Sequence, residues 1–183
     1  MNQRPLHSAA ELLRLIHNLV RLGTIAEVDH NSARVRVAMG ELATGWLAWI
    51  DGRAGTTRTW NPPTVGEQVV VFSPGGDLSA AVVLTGLYRA QYPAPSASAD
   101  VFRAVMPDGA VLEYDHAANH LRASLPGSAE ISAAAGVTLN ADAVINGNVA
   151  INGDSLTHNG KNVGDTHRHS GITSGPSNTG EPV

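Results

Sequence analysis

The apolar positions near the start of the chain recur with the period of an α-helix. Between residues 8 and 22 they lie three or four positions apart, at Leu12, Leu15, Ile16, Leu19 and Leu22. Ser8 and Glu11 have the spacing of a capping box, and Gly23 is a natural C-terminal stop. We therefore predict one amphipathic helix over residues 8–22. Its apolar stripe is expected to pack mainly on the same chain, the alternative being a surface for a partner.

After Gly23 the hydrophobic period changes from helical to two, which is the period of a β-strand. Turn residues separate five such runs, at residues 24–29, 34–39, 46–50, 68–72 and 81–88. Five short strands in succession predict a small OB-type barrel. The fold class is thus all-β, with the helix as the exception.

A short polar segment with two prolines, residues 91–100, has the composition of a linker. Beyond it, residues 101–106 and 110–115 flank an Asp108-Gly109 dipeptide, a strong signal for a β-hairpin. A second pair of strands is predicted at residues 119–125 and 129–134. We place a domain boundary at the linker.

Residues 144–161 form an internal repeat in which an Asn-Gly dipeptide follows aliphatic residues every six or seven positions. Each unit is too short to bury its own apolar face, and about three units are too few to close a single-chain β-helix. Three intertwined chains would close a triangular prism. Its interior would be lined by Val144, Ile145, Val149, Ile151 and Leu156. His158 is more simply explained as an exposed or hydrogen-bonded turn residue than as a ligand.

The composition of the chain argues against two classes of function, nucleic-acid binding and catalysis. The net charge is −4 and cysteine is absent, so the chain has neither a basic footprint for nucleic acid nor thiol chemistry. OB barrels often bind single strands through exposed aromatic residues, but Trp46 and Trp49 point to opposite faces of a strand, so at least one belongs to the core. We predict a docking module that binds no nucleic acid. No carboxylate pair, activated nucleophile or phosphate loop emerges, and we predict that the chain is not an enzyme.

The last residues carry the candidate metal ligands, His167 and His169. In an extended segment both imidazoles point to one side, with Arg168 on the other. No further acidic, Cys or His residue follows until Glu181, so one chain cannot close a four-ligand site. Three chains would supply six imidazoles, an octahedral set that suits a first-row transition ion such as iron. The alternative to metal binding is that this segment is a solvated polar tail that binds nothing.

Two enzyme families that use a His-x-His motif do not match. Cupin sites place a Glu a few residues after the second His, where this chain has Ile172, Thr173 and Ser174. Amidohydrolase sites carry the motif near the start of a large barrel, whereas here it is followed by only the last residues of the sequence.

The helix, barrel, linker, repeat and terminal Gly164-x-Thr-His-x-His-x-Gly171 sequence together resemble the baseplate assembly protein V family, the central spike of contractile phage tails. The resemblance implies a homotrimer. Its barrels would attach to the tail hub, its intertwined β-helix would form a needle, and six histidines, His167 and His169 of each chain, would hold one iron ion near the tip. Larger relatives carry a lysozyme domain, for which residues 91–100 leave no room.

The predicted organisation has five parts: an N-terminal helix at 1–22, an OB-fold domain at 23–90, a linker at 91–100, a β-helix spike at 101–163 and a metal-capped tip at 164–183. The resemblance implies a virion protein that is assembled in the host cytoplasm, sits at the tip of the baseplate and pierces the host outer membrane. A trimeric tip of a phage-like secretion system, or an adhesin, is the alternative.

Overall fold

The computed structural model describes residues 8–168, 170, 171 and 175. These residues are mostly β, with a single α-helix among them. They divide into two compact units, one up to Glu130 and one from Ile131 onward. No helix in this part of the chain has the length and apolarity needed to cross a membrane.

Helix α1 spans Ala9–Leu19 and begins where the capping pattern predicted. The Ser8 hydroxyl accepts a hydrogen bond from the Glu11 amide, and the Glu11 carboxylate pairs with Arg14 one turn later. The helix ends three residues before the predicted end. Val20 is already extended and pairs with Phe72, because the strand ladder satisfies its backbone better than another helical turn would.

Gly23 is therefore not a helix stop but a strand residue. A Cβ atom at this position would lie 2.3 Å from Cγ1 of Val37, so only glycine lets the two strands approach this closely. The prediction that this glycine ends the helix was wrong, because its packing partner is far away in the sequence.

All five predicted barrel strands are present. They are β1 (Val20–Asp29), β2 (Arg34–Met39), β4 (Leu47–Ile50), β5 (Gln68–Phe72) and β6 (Val82–Leu87), with a two-residue strand β3 (Leu42–Ala43) added beside β2. The order β1-β5-β6-β4-β2 closes through a β1–β2 pairing. β4 and β6 are parallel and the other pairs are antiparallel. This is the closed five-stranded arrangement expected for an OB-type barrel.

The barrel interior is small and aliphatic. Its buried side chains come from alternate strand positions: Ile25, Val35, Val37, Met39, Leu47, Val69, Val71, Ala81 and Val83. Full burial of a Val or Ile side chain contributes about 1.5–3 kcal/mol, so this cluster supplies most of the stability of the unit. Trp49 is half-buried against the cluster and Trp46 is exposed, which confirms the expected placement of the two tryptophans on opposite faces.

Helix α1 is attached to the barrel through a backbone contact. Gly76, in the short 3₁₀ turn Pro74–Gly76 after β5, is buried with φ +74°. A Cβ atom there would lie 2.4 Å from the carbonyl oxygen of Leu15. The helix thus rests directly on a glycine, and the Ser73 amide donates to the Leu19 carbonyl nearby.

We expect Gly76→Ala to release α1 from the barrel, whereas Gly75→Ala should not. Both glycines have positive φ, so either substitution adds about 1–2 kcal/mol of backbone strain. Only Gly76 also meets the helix, since nothing lies within 4 Å of a Cβ atom at Gly75. Hydrogen exchange of the α1 amides should rise at least tenfold in the first variant and stay unchanged in the second. Equal effects of the two would show that the contact does not hold the helix.

The first unit also contains a three-stranded antiparallel sheet, β7 (Val101–Val105), β8 (Val111–Asp115) and β9 (His120–Ser124). The predicted Asp108-Gly109 hairpin is confirmed, with Gly109 at φ +88°. The prediction of a strand at residues 129–134 was wrong, because these residues pair with no strand in the described part of the chain. The predicted linker begins attached to the barrel, where the Tyr92 hydroxyl donates to the Val65 carbonyl.

The second unit contains one short hairpin, β10 (Thr157–His158) and β11 (Lys161–Asn162). Its turn is Asn159-Gly160, with both residues at positive φ as a two-residue hairpin turn requires. From Ile131 to Leu156 the chain forms no strand.

Candidate needle segment and metal-binding terminus

The apolar residues of the repeat are exposed to solvent in the single chain. Val144 is 85% exposed and Ile145 is 66% exposed, and Val149, Ile151 and Leu156 are exposed as well. A folded protein rarely leaves so many aliphatic side chains in one short segment uncovered. These five residues are the ones that the sequence predicted to line the interior of a three-chain prism.

The first two units of the repeat also lack backbone partners among the described residues. Only the third Asn-Gly pair closes a hairpin, whereas Gly147 and Gly153 do not have positive φ. Within residues 137–155 no backbone–backbone hydrogen bond is formed. Backbone amides and carbonyls need partners once they are buried, so this segment can enter a packed structure only by pairing with other strands.

The three-stranded sheet β7–β9 has one apolar face and one ionic face. Phe102, Tyr114 and Leu121 are directly opposite one another in the register, and Phe102 and Leu121 are more than 70% exposed. On the other face Glu113 lies 3.2 Å from Arg103 and 3.5 Å from Arg122. Cross-strand pairs of both kinds stabilise a sheet, but an apolar row this exposed marks a surface that packs on something else.

His167 follows a tight turn after the β10–β11 hairpin. The Gly164 amide donates to the Asn162 side chain, and the Gly164 carbonyl accepts from the His167 amide at 3.2 Å. The same carbonyl lies 2.6 Å from Nδ1 of His167. A carbonyl oxygen can only accept, so Nδ1 is the donor of this hydrogen bond, and in the neutral form of the ring Nε2 is the nitrogen without a proton. This is the arrangement by which metal-binding histidines are usually oriented.

The structure places only one of the two predicted ligands. His169 lies outside the described residues, and so does most of the chain that follows it. Among the residues that are described, no cluster of three or more His, Asp or Glu side chains could hold a metal ion. His167 therefore fits a metal site only if the remaining ligands come from His169 and from other copies of the chain. His158 is exposed in β10, opposite Lys161, as a turn-side residue would be.

Sequence analysis missed an apolar surface on the outside of the barrel. Two cross-strand rows run over four adjacent strands: Val20–Phe72–Val82–Ala48 and Leu22–Val70–Leu84–Ile50. On β5 and β6 these residues alternate with the buried positions Val69, Val71 and Val83, so the rows face outward. The signal was present in the sequence, because residues 69–72 and 81–84 are continuous apolar runs, which indicate strands covered on both faces.

Comparison with known proteins agrees with this architecture. Residues 21–88 match the family model described as the type VI secretion system/phage-baseplate injector OB domain. The spike protein of Escherichia phage P2 is 44% identical over 128 residues, which is 70% of this chain and 61% of that protein. The aligned region thus spans less than two thirds of the length of the phage P2 spike protein. With a barrel of the injector type and this similarity to a phage spike protein, the chain belongs to the phage baseplate spike family.

Proposed function

We propose that this chain is a structural component of a phage tail baseplate that works as a homotrimeric spike. The observation that carries the proposal is the uncovered apolar repeat: its five aliphatic side chains are exposed in one chain, and among the described residues the backbone of 144–155 forms no backbone–backbone hydrogen bond. Three copies would supply both the side-chain cover and the backbone partners. The exposed row Phe102–Tyr114–Leu121 is a second apolar surface on the same polypeptide that trimer formation would cover.

The proposed action is mechanical. Contraction of the tail would drive a narrow, rigid tip through the host outer membrane, with no turnover of a substrate. A prism with aliphatic residues inside and small polar residues outside suits that role. The needle would enter the membrane first and so must not be bound to other tail proteins. The barrel would therefore be the part that attaches to the tail hub.

At the tip, His167 and His169 of three chains would hold one ion, with iron the best candidate for six imidazole ligands. The hydrogen bond from Nδ1 of His167 to the Gly164 carbonyl supports this role, because it leaves Nε2 as the donor atom. A bound ion would fasten the three chain ends together. Each chain would contribute two imidazoles, and the turn at Gly164 holds the ring of His167.

A tip protein of a phage-like secretion system is the second candidate. The family description itself names both the type VI secretion system and the phage baseplate, and the barrel alone does not separate them. An adhesin of the same shape would need a receptor surface at the tip. All three candidates share the trimer and the needle.

Purified particles test the assignment. We expect the protein to be recovered in tail particles at three copies per particle, and particles from a deletion strain to be defective in infection. A tagged fragment of residues 8–90 should still be incorporated, whereas a fragment of residues 101–183 should not, because attachment is assigned to the barrel. Recovery at the cell surface or in a secreted fraction, with none in particles, would favour the alternatives.

A further inference from the structure

Two apolar surfaces of the first unit are exposed in the same chain. One is the outer face of α1, formed by Leu12, Leu13, Ile16 and Leu19. The other is the pair of apolar rows on the outside of the barrel, for which Leu22, at 61% exposed, is the most accessible residue. A helix stripe and a sheet face of this kind are normally buried against another element.

The anchoring of α1 explains why its stripe stays uncovered. Leu15 lies on the side that touches Gly76, and Glu11 and Asn18, one turn away on either side, are half-buried with it. At 100° per residue, Ile16 lies about a quarter turn or more from this side. The expectation that the stripe packs on its own chain was therefore wrong for all but Leu15.

We propose that α1 of one copy packs its apolar stripe on the outer barrel rows of the next copy, so that three copies close a ring. This inference rests on the proposed homotrimer and adds the contact that would order its barrels. A three-fold ring is built from heterologous contacts, in which one surface of each copy meets a different surface of the next. The first unit exposes two such different surfaces.

The dimensions and the charges of the two surfaces match. A helix of 11 residues is about 16 Å long, and four neighbouring strands span roughly 14 Å. No charged residue belongs to the exposed face of α1 or to the eight row positions. Packing the helix on the barrel rows therefore buries no unpaired charge.

The size of the contact favours a second copy over a separate partner. A footprint of roughly 16 Å by 10 Å is well below the 800 Å² per partner of a typical stable interface. A free partner would need a larger surface. Copies already joined through their needles meet at high effective concentration, and for them a small apolar contact is enough.

Cross-linking tests this contact directly, because the native sequence has no cysteine. In the full chain, Ile16→Cys together with Leu84→Cys should give covalent dimers and trimers with a short bismaleimide on a denaturing gel. Each single variant should give none. The matched control pairs Leu84→Cys with Arg14→Cys, an exposed position about 160° around the helix from Ile16, and should cross-link at least tenfold less.

The other outcomes overturn the inference in distinguishable ways. Cross-linking of Ile16→Cys alone would mean that the helices meet each other. No cross-link in any variant, with native mass still that of a trimer, would refute the helix-to-barrel contact and leave the proposed trimer standing. A monomer by native mass would refute both.

Discussion

We expect Val149→Asp to convert the proposed trimer to monomers and Asn148→Asp to leave it assembled. Val149 is predicted to face the interior of the three-chain prism, and in one chain it is 58% exposed with no cover. Three unpaired carboxylates would then be buried near one axis. Leaving a buried charge uncompensated costs about 3–5 kcal/mol, so the dissociation constant should rise by roughly 10²–10³-fold or more.

Native mass and resistance to detergent measure this effect. Asn148→Asp adds the same charge one residue earlier, on the side that would face solvent, and serves as the control. The circular dichroism of the barrel should be unchanged in both variants, because its core lies within residues 25–83. If Val149→Asp stays trimeric and detergent-resistant, the repeat does not form the interior of the needle.

Truncation of the chain is a second test of whether the repeat holds the proposed trimer together. A fragment that ends after about residue 95 keeps every core residue of the barrel and should fold. It should lose most of its trimer stability, since the helix-to-barrel contact alone is small. A fragment as resistant to heat as the full chain would place the main trimer contacts in the barrel instead.

We expect that replacing both His167 and His169 with Ala will remove the metal from the proposed trimer without dissociating it. The wild-type protein, prepared without chelator or a metal-affinity column, should contain one iron ion per trimer by elemental analysis. The variant should contain less than a tenth of that amount. Its trimer should persist, because the ion fastens only the chain ends and the repeat carries most of the apolar surface.

His158→Ala is the control for this experiment, since His158 is exposed in β10 and should not affect the metal content. A second variant, Asn162→Ala, removes the side chain that accepts from the Gly164 amide and so loosens the turn that orients His167. We expect weaker metal binding but not its loss. Native protein without metal, or with one ion per chain, would contradict the six-histidine site.

The sequence by itself determined the local elements. The five barrel strands were predicted because each alternates or runs apolar between turn residues, and all five form. The start of α1 followed from the Ser8 cap, and the β7–β8 hairpin followed from Asp108-Gly109. These features depend on residues within a few positions of one another, so periodicity and turn chemistry are sufficient to find them. His167 was identified by its spacing from His169, yet the hydrogen bond that orients its ring was not.

Only the tertiary structure decided which surfaces are covered. Helix α1 ends at Leu19 because Val20 pairs with Phe72. Position 23 requires a glycine because any side chain there would clash with Val37. Most of the apolar stripe of α1 stays exposed because Gly76 holds the helix at Leu15, on one edge of that stripe. Each of these outcomes depends on a partner more than ten positions away, where period and propensity carry no information. Burial is settled by long-range packing, and for this reason the exposed face of α1 and the outer barrel rows, from which the helix-to-barrel proposal derives, became visible only in three dimensions, whereas the uncovered repeat was already indicated by the sequence.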